Sequence, residues 1–367
     1  MFEITDMIKL AQQYLNDALP KAALALIFGN RRHTLAALDP TDVETSQFID
    51  LLLDIDSVED KKTSPPRQSA WKLIKAYNNN PGVSKFAGIS PAKFAFQLAL
   101  RVREPNLISQ GEIGVCGANA AVIHFAKADP VGYVRLGLDL MLTGRGRFGK
   151  KEVAPGETIM AGVTKLNLAV ADYVILTSVR GSASFVEGVL SSRKASQVGV
   201  AEAMTERDVS KMLRLAGYTE VEDHVHSNTY LNLKENLNIA SLRVGQGYLV
   251  MFSINSNLAV EMIQDKKWQT ASALKQYPTL PMIAAGVARE SGRGTLNLPK
   301  RWMANTNHWV LVSKLQVSAQ EVTIKLYSWG HSIKRTIPYD RFVEYYDGFI
   351  SAKLGGEEKL GWEEKMA

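Results

Sequence analysis

Cys116 is the single cysteine of the chain, and its neighbours are those that a reactive thiol needs. It stands in the stretch Gln110-Gly111-Glu112-Ile113-Gly114-Val115-Cys116-Gly117, and an apolar, alanine-rich run to Lys127 follows at once. That run predicts a buried helix opening at the cysteine. At a helix start the positive end of the dipole and the unbonded backbone N–H groups favour thiolate over thiol. Gln110, six positions earlier and held by a glycine-rich loop, can offer a side-chain N–H to an oxyanion. Without such a setting, a lone cysteine is a small buried hydrophobe.

A nucleophilic cysteine needs a base within hydrogen-bond reach and a third group to orient that base. The sequence offers six histidines. His124 lies eight residues along the same helix as Cys116, about 12 Å away at roughly 1.5 Å per residue, which removes it. His33 falls in a helical front region. His224 and His226 point the same way from an expected strand, but no carboxylate or cysteine is placed to complete a metal site with them. His331 follows the turn after a strand and is expected to be exposed. His308 remains. It opens the run His308-Trp309-Val310-Leu311-Val312, a strand whose backbone ladder would fix the ring.

With these residues in place, the chain resembles the papain-like cysteine peptidases. Gln110-Gly-x-x-Gly-x-Cys116-Gly, Asn307-His308-x-Val310 and Ser328-Trp329-Gly330 repeat three signatures of that family in order. The resemblance implies an α+β fold in which a central helix packs on an antiparallel sheet. It also implies roles: Gln110 in the oxyanion hole, Cys116 as nucleophile, His308 as its partner and Trp329 as a shield against water. Two features depart from the pattern. Tyr327 holds the position of the family's asparagine. Tyr327 and Trp329 would share a strand face, which favours the tyrosine hydroxyl as the orienter; a one-residue slip would substitute Ser328. Asn307 or Asp340 could serve in a rearranged fold. The second departure is distance: Cys116 and His308 are 192 residues apart, beyond the roughly 130–150 of papain and the cathepsins.

The activity implied is that of a thiol protease or related cysteine hydrolase. A Cys116 thiolate paired with a His308 imidazolium attacks an amide, most directly in a protein or peptide. Glutamine deamidation, transglutamination, cleavage of peptidoglycan amides and an inactive binding module are alternatives on the same scaffold. A helical front region, the absence of a signal peptide and the late Tyr345-Tyr346-x-Gly348-Phe349 stretch resemble bacterial toxins and effectors with papain-like folds. That placement implies a virulence protein, cytoplasmic in its producer and secreted into a target cell without a signal peptide. Its implied partners are the substrate and an immunity protein, chaperone or secretion partner at the N-terminal region. No cofactor and no metal are expected.

The elements that must position these residues follow from periodicity and punctuation. Residues 1–105 are expected to be a helical region whose function the sequence does not reveal, one that docks a partner, targets the protein or packs on the second domain, ahead of a catalytic domain over 106–367. Ile4 to Leu19 recur at helical spacing up to Pro20, a second helix runs from Lys21 to Phe28, and Asp39-Pro40-Thr41-Asp42 turns into an apolar run from Phe48 to Ile55. Asp54 to Pro66, with Pro65-Pro66, reads as a loop. Trp71–Tyr77 and a segment opened by Ser90-Pro91 are further helices. After the Cys116 helix, which ends near Asp129-Pro130, a helix covers Val131–Leu142. The basic glycine loop Thr143–Arg147 lacks the Gly-Lys-Ser/Thr ending of a phosphate cradle and reads as a surface turn. Leu166–Val179 is expected to be helical and 181–200 irregular. Thr205–Ala216 is an amphipathic helix capped by Thr205 with Asp208 and closed by Gly217. From Thr219 the period becomes two. Gly247–Ile254, Trp309–Val317 and Val322–Trp329 read as strands, 282–294 as a loop and Pro338–Tyr346 as a short helix. Helices first and strands late argue for α+β.

A net charge of +6 spread over the chain gives no basic block for nucleic acid. One cysteine excludes an intrachain disulfide framework and suits a reducing compartment. No apolar run is long enough for a membrane span.

Overall fold

Thr41 and Glu44 show how the front of the chain becomes helical. The Thr41 hydroxyl accepts the Glu44 N–H at 3.2 Å, and the Glu44 carboxylate accepts the Thr41 N–H at 2.9 Å. This reciprocal capping box satisfies two donors that a helix start would otherwise leave bare. In the computed structural model the described residues are 4–16, 27, 38–58, 64–110, 115–161, 168–182, 204–225, 233–256, 258, 259, 262, 307–343 and 345–355. They divide into two units. One takes in Met1–Glu202 and Trp329–His331, the other Ala203–Ser328 and Ser332–Ala367.

The first unit is built from α1 (Ile4–Asn16), α2 (Asp42–Val58), α3 (Ser64–Asn79), α4 (Pro91–Arg103), α5 (Cys116–Ala128), α6 (Pro130–Thr143), α7 (Glu157–Ala161) and α8 (Val170–Ser182). A two-stranded hairpin, β1 (Gly146–Phe148) and β2 (Lys151–Val153), joins α6 to α7. Ser90 caps α4 by accepting the Lys93 N–H, and Asp129 caps α6 by accepting the Gly132 N–H at 2.7 Å. Pro65-Pro66, expected in a loop, instead lies in the first turn of α3. Proline is at home there, because its missing N–H is one that the helix would not use and its φ is already helical. Of the stretch 143–147, expected as a surface turn, Thr143 is the last residue of α6, Gly144 caps that helix at φ +72°, and Gly146 and Arg147 lie in β1, a strand that was not expected. Asp56, fully buried on α2, accepts from Arg67 on α3 and from Arg103 on α4 at 2.9–3.0 Å.

The division expected near residue 105 falls inside this unit. Arg101 on α4 forms a buried, two-pronged ion pair with Asp172 on α8, so the front helices share a core with the helices that follow Cys116. The expected helix at 21–28, Ile27 excepted, and the loop at 282–294 lie outside the described residues; of the stretch 181–200 expected to be irregular, Gly181 and Ser182 belong to α8 and the rest lies outside them.

The second unit carries α9 (Glu206–Leu215), β3 (Tyr218–Asp223), α10 (Leu233–Gly245), β4 (Leu249–Asn255), β5 (Asn307–Val317), β6 (Glu321–Ser328), β7 (His331–Pro338), α11 (Tyr339–Val343) and β8 (Tyr346–Leu354). Thr205 and Asp208 form the expected capping box on α9. The six strands make one sheet in the order β3-β8-β4-β5-β6-β7, and the pairs β3–β8, β8–β4, β4–β5 and β5–β6 are antiparallel. The chain is therefore α+β with an antiparallel sheet. Two strands of this sheet were not expected. β7 is a half-exposed edge, and β8 runs between β3 and β4, buried along most of its length. Gly348 makes β8 workable: at φ +146°, a Cβ there would meet the His224 carbonyl oxygen at 2.5 Å. Among the described residues no helix is long and apolar enough to cross a membrane.

Candidate active site

α5 begins at Cys116. Val115 is its N-cap and makes no side-chain cap bond. Nearly the whole of α5 is buried, and Cys116 is 3% exposed. Burial of this kind opposes thiolate formation, whereas the helix start favours it. Gln110, in the same unit, is also buried, and its Oε1 has no hydrogen-bond partner. Residues 111–114 between them are outside the described set.

His308 sits near the start of β5, opposite Ile254 of β4, and is buried. Its Nε2 lies 2.6 Å from the Ser328 hydroxyl oxygen at the end of β6. Register explains why serine, and not Tyr327, makes this contact. Near the β5–β6 turn the partners are Val317↔Val322 and Lys314↔Lys325; past a bulge between Val312 and Lys314 they become Val312↔Leu326 and Leu311↔Tyr327. Without the extra residue Tyr327 would oppose Val312 and share the face of Val310 and His308. The bulge moves it to the face of Leu311 and Trp309 and brings Ser328 to the side of His308. Of the two expected orienters, Ser328 is the one within hydrogen-bond distance of His308 Nε2; Lys325 lies over the Tyr327 ring, its ammonium 5.7 Å from the centroid.

Trp329 does not continue the strand either. It and Gly330 form the two-residue turn between β6 and β7, with φ of +48° and +75°. Two positive φ angles in a row define the hairpin turn whose twist matches the strands, and asparagine or glycine is the usual first residue. A tryptophan held there is strained backbone, a feature that concentrates at functional sites. Of the other candidates for a third member, Asp340 is exposed on α11. Asn307 opposes Asn255 across the ladder, its side chain outside the described set.

Burial pushes the His308 imidazolium down to about 3. Its ring is therefore neutral at physiological pH, which departs from the standing thiolate–imidazolium pair expected. With Nε2 held to Ser328, a neutral ring carries its proton on one nitrogen and offers the other as a base.

Three of the remaining histidines, His124, His224 and His331, are among the described residues. His124, half-buried on α5, is lowered to about 4, first by burial and then by Lys127. His224 stacks on Phe349 with centroids 4.5 Å apart, and its Nε2 is 3.5 Å from Glu222. His226 and His33 are outside the described residues, among which no group of histidine, cysteine and carboxylate side chains could hold a metal. His331, expected to be exposed, opens β7 half-buried. Sequence reasoning missed Asp172, whose carboxylate accepts the Ser109 N–H at 3.1 Å beside Gln110. A carboxylate in the first turn of a mostly apolar helix was the signal available. Gln110 and Cys116 belong to the first unit, and His308, Tyr327 and Ser328 to the second.

Compared with known proteins, the chain matches no protein-family model, no curated protein and no solved structure.

Proposed function

We propose that the chain is a cysteine hydrolase of papain-like type acting on amide bonds, with Cys116 as nucleophile and His308 as its base. The observation that carries this reading is the His308–Ser328 hydrogen bond. The resemblance asks for an orienting side chain at the end of the strand after the histidine, and a buried hydroxyl 2.6 Å from the ring nitrogen meets that need one residue from the asparagine position. Cys116 at the head of a buried helix and the buried side chain of Gln110 supply the other half. The proposal asks Cys116 and His308, which belong to different units, to meet during the reaction.

In this mechanism Ser328 accepts the Nε2 proton of neutral His308, which leaves Nδ1 as the base. Nδ1 takes the thiol proton as sulfur attacks the amide carbon. The displaced carbonyl electrons collect on oxygen, held by the Gln110 side-chain N–H and the Cys116 backbone N–H. The imidazolium then gives its proton to the leaving nitrogen as the C–N bond breaks, and water, deprotonated by the same ring, hydrolyses the thioester. A protein substrate in a target cell is the setting that the resemblance to toxins and effectors supports.

Incubation with candidate protein substrates, followed by mass spectrometry, tests the reaction type. Backbone cleavage that disappears in Cys116→Ser supports a peptidase. The mass gain of deamidation at glutamine, lost in the same variant, supports a deamidase. Modification that persists in Cys116→Ser contradicts the proposal.

A further inference from the structure

We propose that Asp172 is a positioning residue that fixes the oxyanion donor Gln110 through the backbone of Ser109. This inference rests on the hydrolase reading above. Asp172 lies in the first turn of α8, 2% exposed, and both carboxylate oxygens are engaged. Arg101 donates Nε to Oδ1 at 2.5 Å and Nη2 to Oδ2 at 2.6 Å, and the Ser109 N–H donates to Oδ2 at 3.1 Å. Arg101 is itself held, with Nη1 donating to the Gln97 carbonyl at 3.0 Å. Gln97 also accepts the Ala171 N–H through its side-chain oxygen at 3.2 Å. Two adjacent turns of α4 thus grip the start of α8, and α8 in turn grips the residue before Gln110.

Stability does not account for this arrangement. A fully buried ion pair is seldom better than apolar side chains of similar volume, because desolvating two charges offsets their attraction. What an apolar pair cannot do is accept the Ser109 N–H. The Ser109 anchor lies where α4 and the short helical turn Pro105–Leu107 lead in to Gln110. Gln110 is buried with an amide oxygen that has no partner. An oxyanion donor works only when preorganised, and the Ser109 anchor fixes the backbone one residue before Gln110.

Two double variants test this. Arg101→Met with Asp172→Asn keeps an amide oxygen for Ser109, and Arg101→Met with Asp172→Leu removes it; neither leaves a buried charge unpaired. Three quantities are read: hydrogen exchange of the Ser109 amide, acylation of Cys116 by p-nitrophenyl acetate, and alkylation of Cys116 by iodoacetamide. Acylation passes through an oxyanion and alkylation does not. The asparagine pair is expected to stay close to wild type in all three. The leucine pair is expected to exchange Ser109 faster and to lose acylation by about 10–100-fold, with alkylation unchanged. Acylation retained in the leucine pair, or acylation and alkylation falling together, overturns the assignment. Should the double variants not fold, Ser109→Pro removes the same N–H with the ion pair intact, and the same divergence between acylation and alkylation is expected. A wild-type Cys116 no more reactive than a free thiol toward either reagent would instead overturn the underlying hydrolase reading, while slow Ser109 exchange would still report the anchor.

Discussion

At the scale of single residues the account turns on which hydroxyl meets His308. Ser328 does so at 2.6 Å, and Tyr327 lies on the opposite face of β6. Ser328→Ala is therefore expected to lower kcat by about 10–100-fold without abolishing activity, because the base remains but its tautomer and angle are no longer held. Tyr327→Phe is expected to leave kcat within about twofold of wild type. A steady-state comparison of the two variants checks this, and the reverse ranking would restore the tyrosine as orienter. Complete loss in Ser328→Ala would make the serine more than an orienter. Cys116, Gln110 and His308 were legible as candidates because each residue type stands in a local pattern that chemistry explains. The choice between Tyr327 and Ser328 was not legible, since it depends on one bulged residue in the partner strand.

At the scale of elements, caps and turns were the readable part. Thr205 with Asp208, Ser90-Pro91 and the start of α5 at Cys116 each carry a short-range signal, and the structure places helix starts at all three. β7 and β8 were hidden. β8 is buried almost throughout and contains a glycine beside a register shift, so it lacks the alternation by which half-buried strands are recognised. Pro65-Pro66 was misleading because proline breaks helix interiors but suits their first turn. Gly348→Ala is expected to cost about 3 kcal/mol, because its φ and its approach to the His224 backbone leave no room for a Cβ. Chemical denaturation measures this, and a loss below about 0.5 kcal/mol would contradict it. Trp329→Asn is expected to hold or raise stability by about 1 kcal/mol, since asparagine suits the positive φ, while lowering activity if the tryptophan shields the reacting groups. Equal activity in the variant, read alongside its denaturation curve, would leave the strained tryptophan without a catalytic purpose.

At the scale of the molecule, the burial of histidines ties stability to pH. The folded pKa of His308 is about 3 against an ordinary 6.5, so between these values the unfolded chain binds a proton that the folded chain does not. Stability is fully present above about pH 6.5 and falls as pH drops toward 3, by at most about 5 kcal/mol from this group. His124, at about 4, adds a loss of the same sign. Unfolding by urea at pH 7 and pH 4.5 measures the difference, and His308→Gln should flatten part of it; a stability that does not fall with acidification would contradict the buried neutral ring. The sequence made the α+β class and the order of helices and strands legible, but not the division into units, because the Arg101–Asp172 pair joins positions too far apart for any local pattern to reveal. The partnership of Cys116 with His308 is the central claim, and the pH dependence of Cys116 alkylation by iodoacetamide tests it most directly. With neutral His308 as base, the rate should stay level from about pH 8 down to about pH 4 and lose that plateau in His308→Ala. A rate that falls about tenfold per pH unit below 8 in wild type and variant alike would show an ordinary thiol and contradict the claim.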